Sequence, residues 1–372
     1  MDFSIEKSRV LKELALTQGV VEKKTTIPIL SNVLVEAEDG TLKISATDLD
    51  LGMCCHCPAK VQSSGSGTIP AKRLLEIVRS LPEAEVHFKA LENHWVQITC
   101  ERSSFKLVGM AKDNFPMLPA VPPALGTLPA SVLATAMQKT VFAISSEESR
   151  YTLNGALLLL RPGSVTMVAT DGHRLALIER DIEIPGLKNE LRLLIPKKAM
   201  GELVRLLSEG EAELPVSISK DESHLFFSLG QRVLICRMLT GQNFPNYEAV
   251  LPRENNRVLE LDKETIAAAV RRVALLADER SRAVRMHLEK GQLEISSSSG
   301  EYGEALEVLD TSYQDEPMQI GFNYQYLLDF FSVLAEPCKI DLELRDEQSA
   351  GQLRPAEQGA YRYRYVVMPM RI

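Results

Sequence analysis

The fold is decided by the stretch ILSNVLVEAEDGTLKISATD, residues 29–48 of the chain. Apolar and polar residues alternate on both sides of Asp39-Gly40, and alternation interrupted by an Asp-Gly pair predicts a β-hairpin. The same pattern returns at residues 153–171 and again at residues 282–299. Three similar hairpins at nearly even spacing indicate an internal repeat.

The segments around each hairpin repeat in step with it. Each repeat opens with an amphipathic helix, and a second amphipathic helix follows about 22 residues after the hairpin. The predicted helical segments are residues 6–16, 69–78, 129–143, 195–204, 262–276 and 321–334. Proline-marked linkers are expected at residues 115–123 and 250–256. We therefore predict an α+β fold of three tandem domains, at residues 1–122, 123–252 and 253–372.

Composition narrows the class of protein. Of the 372 residues, 45% are hydrophobic and 25% are charged, which is ordinary globular composition. The N-terminal residues lack the apolar core of a targeting segment, and the longest aliphatic run, residues 156–160, is far too short to cross a bilayer. Without a secretion signal, the six cysteines are expected to be reduced thiols. The chain is expected to be cytoplasmic, with no membrane association.

The distribution of charge suggests one basic surface. A net charge of −8 argues against a protein that coats nucleic acid with its whole surface. Basic residues nevertheless recur in five of the six predicted helices, and acidic residues concentrate in turns and strands. The basic helix residues are Lys7, Arg9, Lys12, Lys72, Arg73, Arg79, Lys139, Lys197, Lys198, Arg205, Arg271 and Arg272. This segregation favours a helix-lined face that contacts phosphates, although each helix alone could simply be solvated.

Packing dimensions suggest how such a face could meet a duplex. A unit of about 125 residues has a diameter of roughly 35 Å. Six such units in a ring leave a hole of roughly 35 Å, which accommodates a B-DNA duplex of roughly 20 Å, and four do not. One chain supplies three units, so two chains with cyclic symmetry are needed to surround DNA.

The residues also allow other interpretations. Asp171 and His173 could act as orienter and base in a hydrolase, but no nucleophile elbow, P-loop or metal-spaced acidic set accompanies them. The segment 54–57 (Cys-Cys-His-Cys) resembles a metal cluster in composition, but neighbouring strand residues point to opposite faces. A peptide-binding scaffold indifferent to DNA is a third possibility. No metal, cofactor or catalytic activity is expected.

Three segments resemble the signature segments of the bacterial sliding clamps, the beta subunits of DNA polymerase III. They are residues 169–176 (ATDGHRLA), 243–247 (NFPNY) and 366–372 (VVMPMRI). The resemblance covers the whole chain, with segments in the family's order. It implies a helix-lined, sheet-backed clamp domain in three copies, and two chains closing head to tail into a six-domain ring. The implied function is that of a processivity factor that encircles duplex DNA.

The resemblance also implies site residues. Positions matching the family's sequence-independent contacts to double-stranded DNA are Lys24, Lys72, Arg73, Arg150, Tyr151, Lys197 and Lys198. Phe105 and Leu107 in the first domain are expected to face Leu275 and Leu276 in the third domain of a partner chain, with Arg102 near Glu301 or Glu304. Thr152 and Glu147 depart from the family's usual residues beside the DNA contacts.

A peptide-binding pocket is implied as well. Its expected residues are Leu153, Thr170, Gly172, His173, Arg174, Leu175, Pro245, Ala249, Val250, Val366, Met368, Pro369, Met370 and Arg371. Ala249 departs from the family, where a longer residue is common. The implied partners are the DNA polymerase III alpha subunit, a clamp loader, and other polymerases and repair proteins that carry short peptide motifs. Residues 296–300 replace Thr-Asp-Gly in the third repeat, so one pocket per chain is expected.

Overall fold

The computed structural model describes residues 1–21, 26–147, 149–208, 213–239 and 244–371. Its helices are α1 Lys7–Thr17, α2 Ala71–Ser80, α3 Ala130–Gln138, α4 Lys197–Ser208, α5 Lys263–Ala274 and α6 Tyr324–Ser332. Each of the six predicted helical segments overlaps one of them, although α1, α2 and α4 extend beyond the predicted C-terminal ends, so the two helices per repeat are confirmed.

The strands are short and all of their pairings are antiparallel. The first nine are β1 Asp2–Glu6, β2 Asn32–Glu38, β3 Thr41–Thr47, β4 Leu51–Pro58, β5 Lys60–Ser63, β6 Gly65–Pro70, β7 Glu85–Ala90, β8 Trp95–Cys100 and β9 Ser103–Val108. The next eight are β10 Gly126–Pro129, β11 Gly155–Arg161, β12 Ser164–Thr170, β13 Arg174–Asp181, β14 Leu191–Pro196, β15 Pro215–Lys220, β16 His224–Leu229 and β17 Arg232–Arg237. The last eight are β18 Arg257–Asp262, β19 Ala283–Glu289, β20 Gln292–Ser299, β21 Gly303–Asp310, β22 Met318–Asn323, β23 Lys339–Leu344, β24 Gly351–Pro355 and β25 Arg362–Val367.

The chain forms two compact units rather than three separate bodies. The first unit contains Met1–Ala134, Pro185–Leu187 and Lys198–Thr240, and the second contains Thr135–Ile184, Lys188–Lys197 and Gly241–Ile372. Each unit holds one eight-stranded sheet to which two repeats contribute four strands each. The second repeat is therefore divided between the two units.

In the first unit the eight-stranded sheet has the order β10-β15-β16-β17-β4-β3-β2-β6, and a second sheet has the order β5-β1-β7-β8-β9. Strand β17 of the second repeat pairs with β4 of the first, with Cys54 opposite Val233. Phe3 and Phe88 stack in the core with their ring centroids 4.8 Å apart.

The second unit repeats this plan. Its larger sheet has the order β14-β11-β12-β13-β25-β24-β23-β18, and its smaller sheet has the order β21-β20-β19-β22. The repeats join where β13 pairs with β25. The core is aromatic: the ring of Phe330 lies 5.0 Å from that of Tyr365 and 5.5 Å from that of Tyr363.

The hairpins and a helix cap form as the sequence predicts. Strands β2 and β3 join at Asp39 and Gly40, whose φ values of 46° and 73° are those of a type I′ turn. Strands β11–β12 and β19–β20 form the other two hairpins. Helix α5 starts after Asp262, whose carboxylate accepts a hydrogen bond from the Thr265 backbone N–H at 2.8 Å.

Two expectations need correction. The helix predicted over residues 129–143 ends at Gln138, because the Thr140 hydroxyl donates back to the Ala136 carbonyl at 2.8 Å and the chain continues as a short 3₁₀ turn. Lys7 and Lys139 were assigned to an exposed basic face, but both side chains are largely buried. Their ammonium groups donate to the carbonyls of Leu81 and Val333, which satisfies the charge without a phosphate.

Candidate binding surfaces

The turn between β12 and β13 is built by the side chain of Asp171. One carboxylate oxygen accepts hydrogen bonds from the backbone N–H groups of His173, at 2.9 Å, and Arg174, at 3.0 Å. The Thr170 hydroxyl donates to the Arg174 carbonyl at 2.6 Å and accepts from the N–H of Gly172. Gly172 has a φ of +89°, which favours glycine. Asp171 thus shapes the turn, and this geometry does not orient His173 as a base.

Arg174 fixes this turn to two other elements of the second unit. Its guanidinium donates to both Asp171, at 3.1 Å, and Asp329 of α6, at 2.6 Å, and also to the Phe142 carbonyl. The same group lies 4.3 Å from the ring centroid of Tyr326, a cation–π distance. Only 9% of the side chain is exposed. Arg174 is therefore a buried positioning residue, with little surface left for a ligand.

An apolar floor lies directly beside this turn. Leu175 pairs with Val366 across β13 and β25, and both belong to a buried cluster with Leu157, Val168, Leu177, Phe244 and Tyr247. Val250 and Met368 remain 55% and 46% exposed. The surface therefore combines a rigid floor with accessible apolar side chains at its edge, which is how small-ligand and peptide sites are commonly built.

The C-terminal segment is held at two points. The backbone N–H of Met368 donates to the His173 carbonyl at 2.9 Å, and that of Met370 donates to Gly321 of β22 at 2.8 Å. Pro369, Met370 and Arg371 line a cavity of about 510 Å³ together with residues of β22. The tail therefore follows a defined path between the turn and the smaller sheet.

The predicted pocket residues are only partly brought together. The structure places Thr170, Gly172, His173, Arg174, Leu175, Val366 and Met368 around the turn, with Pro245, Ala249 and Val250 exposed on the segment that carries Phe244 and Tyr247. Leu153 is half-buried and its carbonyl accepts from the Ser145 N–H, which ties it to the neighbouring loop. None of its described hydrogen bonds reaches the turn.

The predicted DNA contacts differ in how free their charges are. Lys72 is exposed, Arg73 is paired with Glu76 at 2.9 Å, and Lys198 is paired with the buried carboxylate of Asp48 while 56% of its side chain stays exposed. In the second unit, Lys197 is half-buried and donates to the Ile144 carbonyl at 3.4 Å. Lys24 lies outside the described residues.

Arg150 and Tyr151 lie close to the Asp171 turn. Tyr151 is 70% exposed. Arg150 pairs with Glu147 at 2.8 Å and donates to the Asp171 carbonyl at 3.1 Å. A side chain at position 172 would come within 3.3 Å of the Arg150 guanidinium. The sequence assigns Arg150 to the DNA surface, and the structure also places it against the turn that borders the apolar floor.

Two of the several strands at sheet edges are β9 and β21. Strand β9 ends the smaller sheet of the first unit, and β21 ends that of the second. Phe105 and Leu107 are half-buried on β9, and Leu275, at the end of α5, is 79% exposed. The exposed edge residues Val108, Leu306 and Val308 were not predicted. The sequence of residues 303–310 (GEALEVLD) does not alternate between apolar and polar residues, so it contains no period-two signal for the exposed face of β21.

The cysteine-rich strand β4 is poorly suited to metal binding. Burial raises the pKa of the Cys54 and Cys55 thiols, and burial together with Glu13 raises the pKa of Cys57 to about 11. Metal ligation requires thiolates, which these environments disfavour. Across residues 1–371, apart from the short gaps named above, no group of three or more His, Cys, Asp or Glu side chains is arranged to hold a metal ion. In the same described part of the chain, no helix is long and apolar enough to cross a membrane.

Comparison with known proteins gives consistent matches along the whole chain. Family models match residues 1–119 as the DNA polymerase III beta subunit N-terminal domain, residues 127–246 as the central domain and residues 248–371 as the C-terminal domain. The beta sliding clamp of Pseudomonas aeruginosa is 33% identical over 374 residues, and that of Caulobacter vibrioides is 35% identical over 387 residues. Both alignments cover 100% of each chain.

Solved structures agree with these sequence matches. The crystal structure of the DNA polymerase III subunit beta from Pseudomonas aeruginosa has a TM-score of 0.93 at 33% identity. The sliding clamp from Bartonella birtlesii bound to griselimycin has a TM-score of 0.93 at 35% identity. Each comparison covers 100% of both chains.

Proposed function

The chain belongs to the DNA polymerase III beta subunit family, and we propose on that basis that two copies close into a ring around duplex DNA. The observation that carries the proposal is the match of all three family domains, in order, along the full chain. The chain is a sliding clamp and processivity factor. It is not an enzyme, and it keeps the replicative polymerase on its template by tethering it.

The ring would close through the two sheet edges. Each chain carries one β9 edge and one β21 edge, so β9 of one copy can meet β21 of the other at both seams of a closed dimer. Adding a strand to an open edge supplies backbone hydrogen bonds, and exposed Leu275, Leu306 and Val308 would supply apolar contact. Lys106 on β9 and Glu304 on β21 have opposite charges that can favour this pairing.

Basic side chains would contact the DNA backbone. Phosphate contacts carry no sequence information, so exposed Lys72, Arg73, Lys198, Arg150 and Tyr151, with Lys197, suit sequence-independent binding. Several of these groups are already paired with carboxylates, as Arg73 is with Glu76. Such pairing lowers the net attraction and would permit sliding rather than tight binding.

The apolar floor beside the Asp171 turn would receive peptide motifs of partner proteins. We infer that the DNA polymerase III alpha subunit, the clamp loader and repair proteins share this pocket, and that they exchange because contact areas are small. Accessible Met368 and Met370 suit several partners, because methionine adapts its shape. We further propose that the chain works in the cytoplasm, with domain boundaries at 122/123 and 252/253.

A topological assay tests the proposed function. The clamp is loaded by a clamp loader and ATP onto nicked circular DNA, and retention is measured by gel filtration before and after the circle is linearised. We expect retention on the circle and loss from the linear form. A hydrolase using Asp171 and His173, or a scaffold indifferent to DNA, would show no difference between the two forms, and that result would refute the clamp proposal.

A further inference from the structure

The first unit contains a turn that reproduces the Asp171 turn atom for atom. The Asp48 carboxylate accepts from the N–H groups of Asp50, at 3.0 Å, and Leu51, at 2.6 Å. The Thr47 hydroxyl donates to the Leu51 carbonyl at 2.7 Å and accepts from the N–H of Leu49 at 3.0 Å. Leu49 has a φ of +81°, close to the +89° of Gly172. The first repeat thus retains the local structure that borders the peptide pocket in the second unit.

The strands next to the two turns also correspond. Gly52 pairs with Ile235 across β4 and β17, as Leu175 pairs with Val366 across β13 and β25. The backbone N–H of Arg237 donates to the Asp50 carbonyl at 2.8 Å, which matches the bond from Met368 to His173 at 2.9 Å. The third repeat lacks Thr-Asp-Gly, which led to the prediction of one pocket per chain, but the first repeat keeps the architecture of the second.

A groove of about 670 Å³ lies on this surface. Its floor is formed by Gly52 and Cys54 of β4 and by Val233 and Ile235 of β17, and the proline-rich segment 116–121 forms a wall. A Cβ at position 52 would lie 2.8 Å from a methyl group of Leu118, so Leu118 occupies part of the space that the leucine side chain takes in the other unit. That contact is the end of a flexible side chain, which can move for a ligand.

The groove is lined by accessible apolar side chains. Met117 is 96% exposed, Leu49 is 52% exposed and Val121 is 46% exposed. Val121 occupies the place in segment 116–121 that Val250 occupies in segment 245–250. Several large apolar side chains exposed around one concavity are characteristic of a binding surface, whereas scattered exposed residues need no explanation.

The charges around the groove indicate the kind of ligand. Lys43 is paired with Glu36 at 3.2 Å and His224 with Asp221 at 3.1 Å, while the ring of His56 contacts the Gln231 carbonyl. Asp50 also lines the groove and is exposed, and no ion pair joins its carboxylate to another described residue. Arg237, the last residue of β17, is an exposed cation that does not line the groove. Asp50 is therefore the carboxylate, among the described residues lining the groove, that can receive a basic group of a ligand.

We propose that this groove is a second peptide-binding site in each chain. Its ligand is an extended segment with two neighbouring apolar side chains and a lysine or arginine beside them. The apolar pair packs against Val233, Ile235 and Met117, and the basic residue faces Asp50. This inference uses the proposed pocket of the second unit only for comparison. In that pocket, His173 lies at the position that corresponds to Asp50. The two sites therefore select different flanking residues.

Methyl NMR of the intact protein tests this proposal. The probe is the nonapeptide Ac-GSGQKLFGS-amide, titrated into protein with ¹³C-labelled methionine methyl groups. We expect the Met117 resonance to shift together with those of Met368 and Met370. Val121→Glu should remove the Met117 response and leave the Met368 response, and Val250→Glu should do the reverse. Both positions are exposed, so neither substitution should unfold the protein.

The charge preference has its own control. Replacing the lysine of the probe with glutamate should raise the Kd measured at Met117, and Asp50→Lys should reverse the preference, each by about threefold, as for an exposed ion pair. A Met117 resonance that does not move at saturating peptide, or that still moves in Val121→Glu, overturns the second site. A Met368 response that survives Val250→Glu would instead contradict the proposed pocket of the second unit.

Discussion

Leu275→Ala should weaken the proposed dimer by roughly 700-fold in Kd. Leu275 is 79% exposed in the single chain, so truncating it should hardly affect the fold of its own unit. At a seam, the same truncation removes two to three buried methylene equivalents, which cost about 2 kcal/mol at about 0.8 kcal/mol each. Dissociation of a closed dimer breaks two seams, so the total loss is about 4 kcal/mol, or roughly 700-fold in Kd.

Sedimentation equilibrium measures this effect directly. Wild-type protein should sediment at twice the chain mass of 41.3 kDa. On dilution, the mass of the variant should fall toward 41.3 kDa at a concentration roughly 700-fold higher than the mass of the wild-type protein does. Val258→Ala is the matched control, because Val258 is 46% exposed on β18, which belongs to neither of the sheets that β9 and β21 end. An unchanged Kd for Leu275→Ala, with circular dichroism unaltered in both variants, would refute the seam.

Three further predictions concern the DNA surface, the pocket and a helix cap. Replacing Lys72 and Arg73 with glutamate should slow loading onto DNA and reduce the salt dependence of DNA binding by about two phosphate contacts. The sedimentation mass should stay unchanged. Equal salt dependence in the wild type and the variant would contradict the assignment of these residues to the DNA surface. Ending the chain after Val367 should weaken binding of a leucine-phenylalanine peptide to the Asp171 pocket. The Kd should rise by at least about 30-fold if one anchor of 2 kcal/mol is lost. An unaltered Kd by fluorescence anisotropy would exclude this pocket. Hydrogen bonds from Thr265 lower the pKa of Asp262, so Asp262 stabilises the fold above its unfolded pKa of about 3.9 and loses this contribution as pH falls through the folded value. Thermal melts should show that Asp262→Ala destabilises the protein by about 1 kcal/mol at pH 7 and by less near pH 3. A destabilisation that does not depend on pH would contradict this role.

Much of the fold could be predicted because its signals are local. The three hairpins depend on turn residues such as Asp39-Gly40, and α5 depends on Asp262 as its cap, and both are visible in a short window of sequence. The strand pairing of β4 with β17 is different. It joins residues about 180 positions apart, such as Cys54 and Val233, and a periodic pattern does not specify which distant edge completes a sheet.

The candidate sites were predicted unevenly for a similar reason. Arg174 was expected to line the pocket, since it follows His173 in the signature segment. In the structure its guanidinium turns inward to Asp329, a partner 155 residues later in the chain. Lys139 was expected at a basic surface and is 7% exposed. The charge of a residue does not show whether its side chain is buried or exposed. Burial depends on partners that lie far away in the sequence, and the sequence alone does not identify them.

The division of the second repeat between two eight-stranded sheets has a consequence for how this chain can be cut. A gene fragment that encodes residues 123–252 alone would leave β17 without β4 and β13 without β25. Both exposed edges carry apolar residues, such as Ile235 and Leu175, and unpaired apolar edges promote aggregation. A single cut inside the second repeat would not preserve both sheets either, because β11 to β14 lie in the chain between β10 and β15 but belong to the other sheet. The unit copied by duplication therefore differs from the compact unit that folds, and neither compact unit corresponds to one continuous fragment.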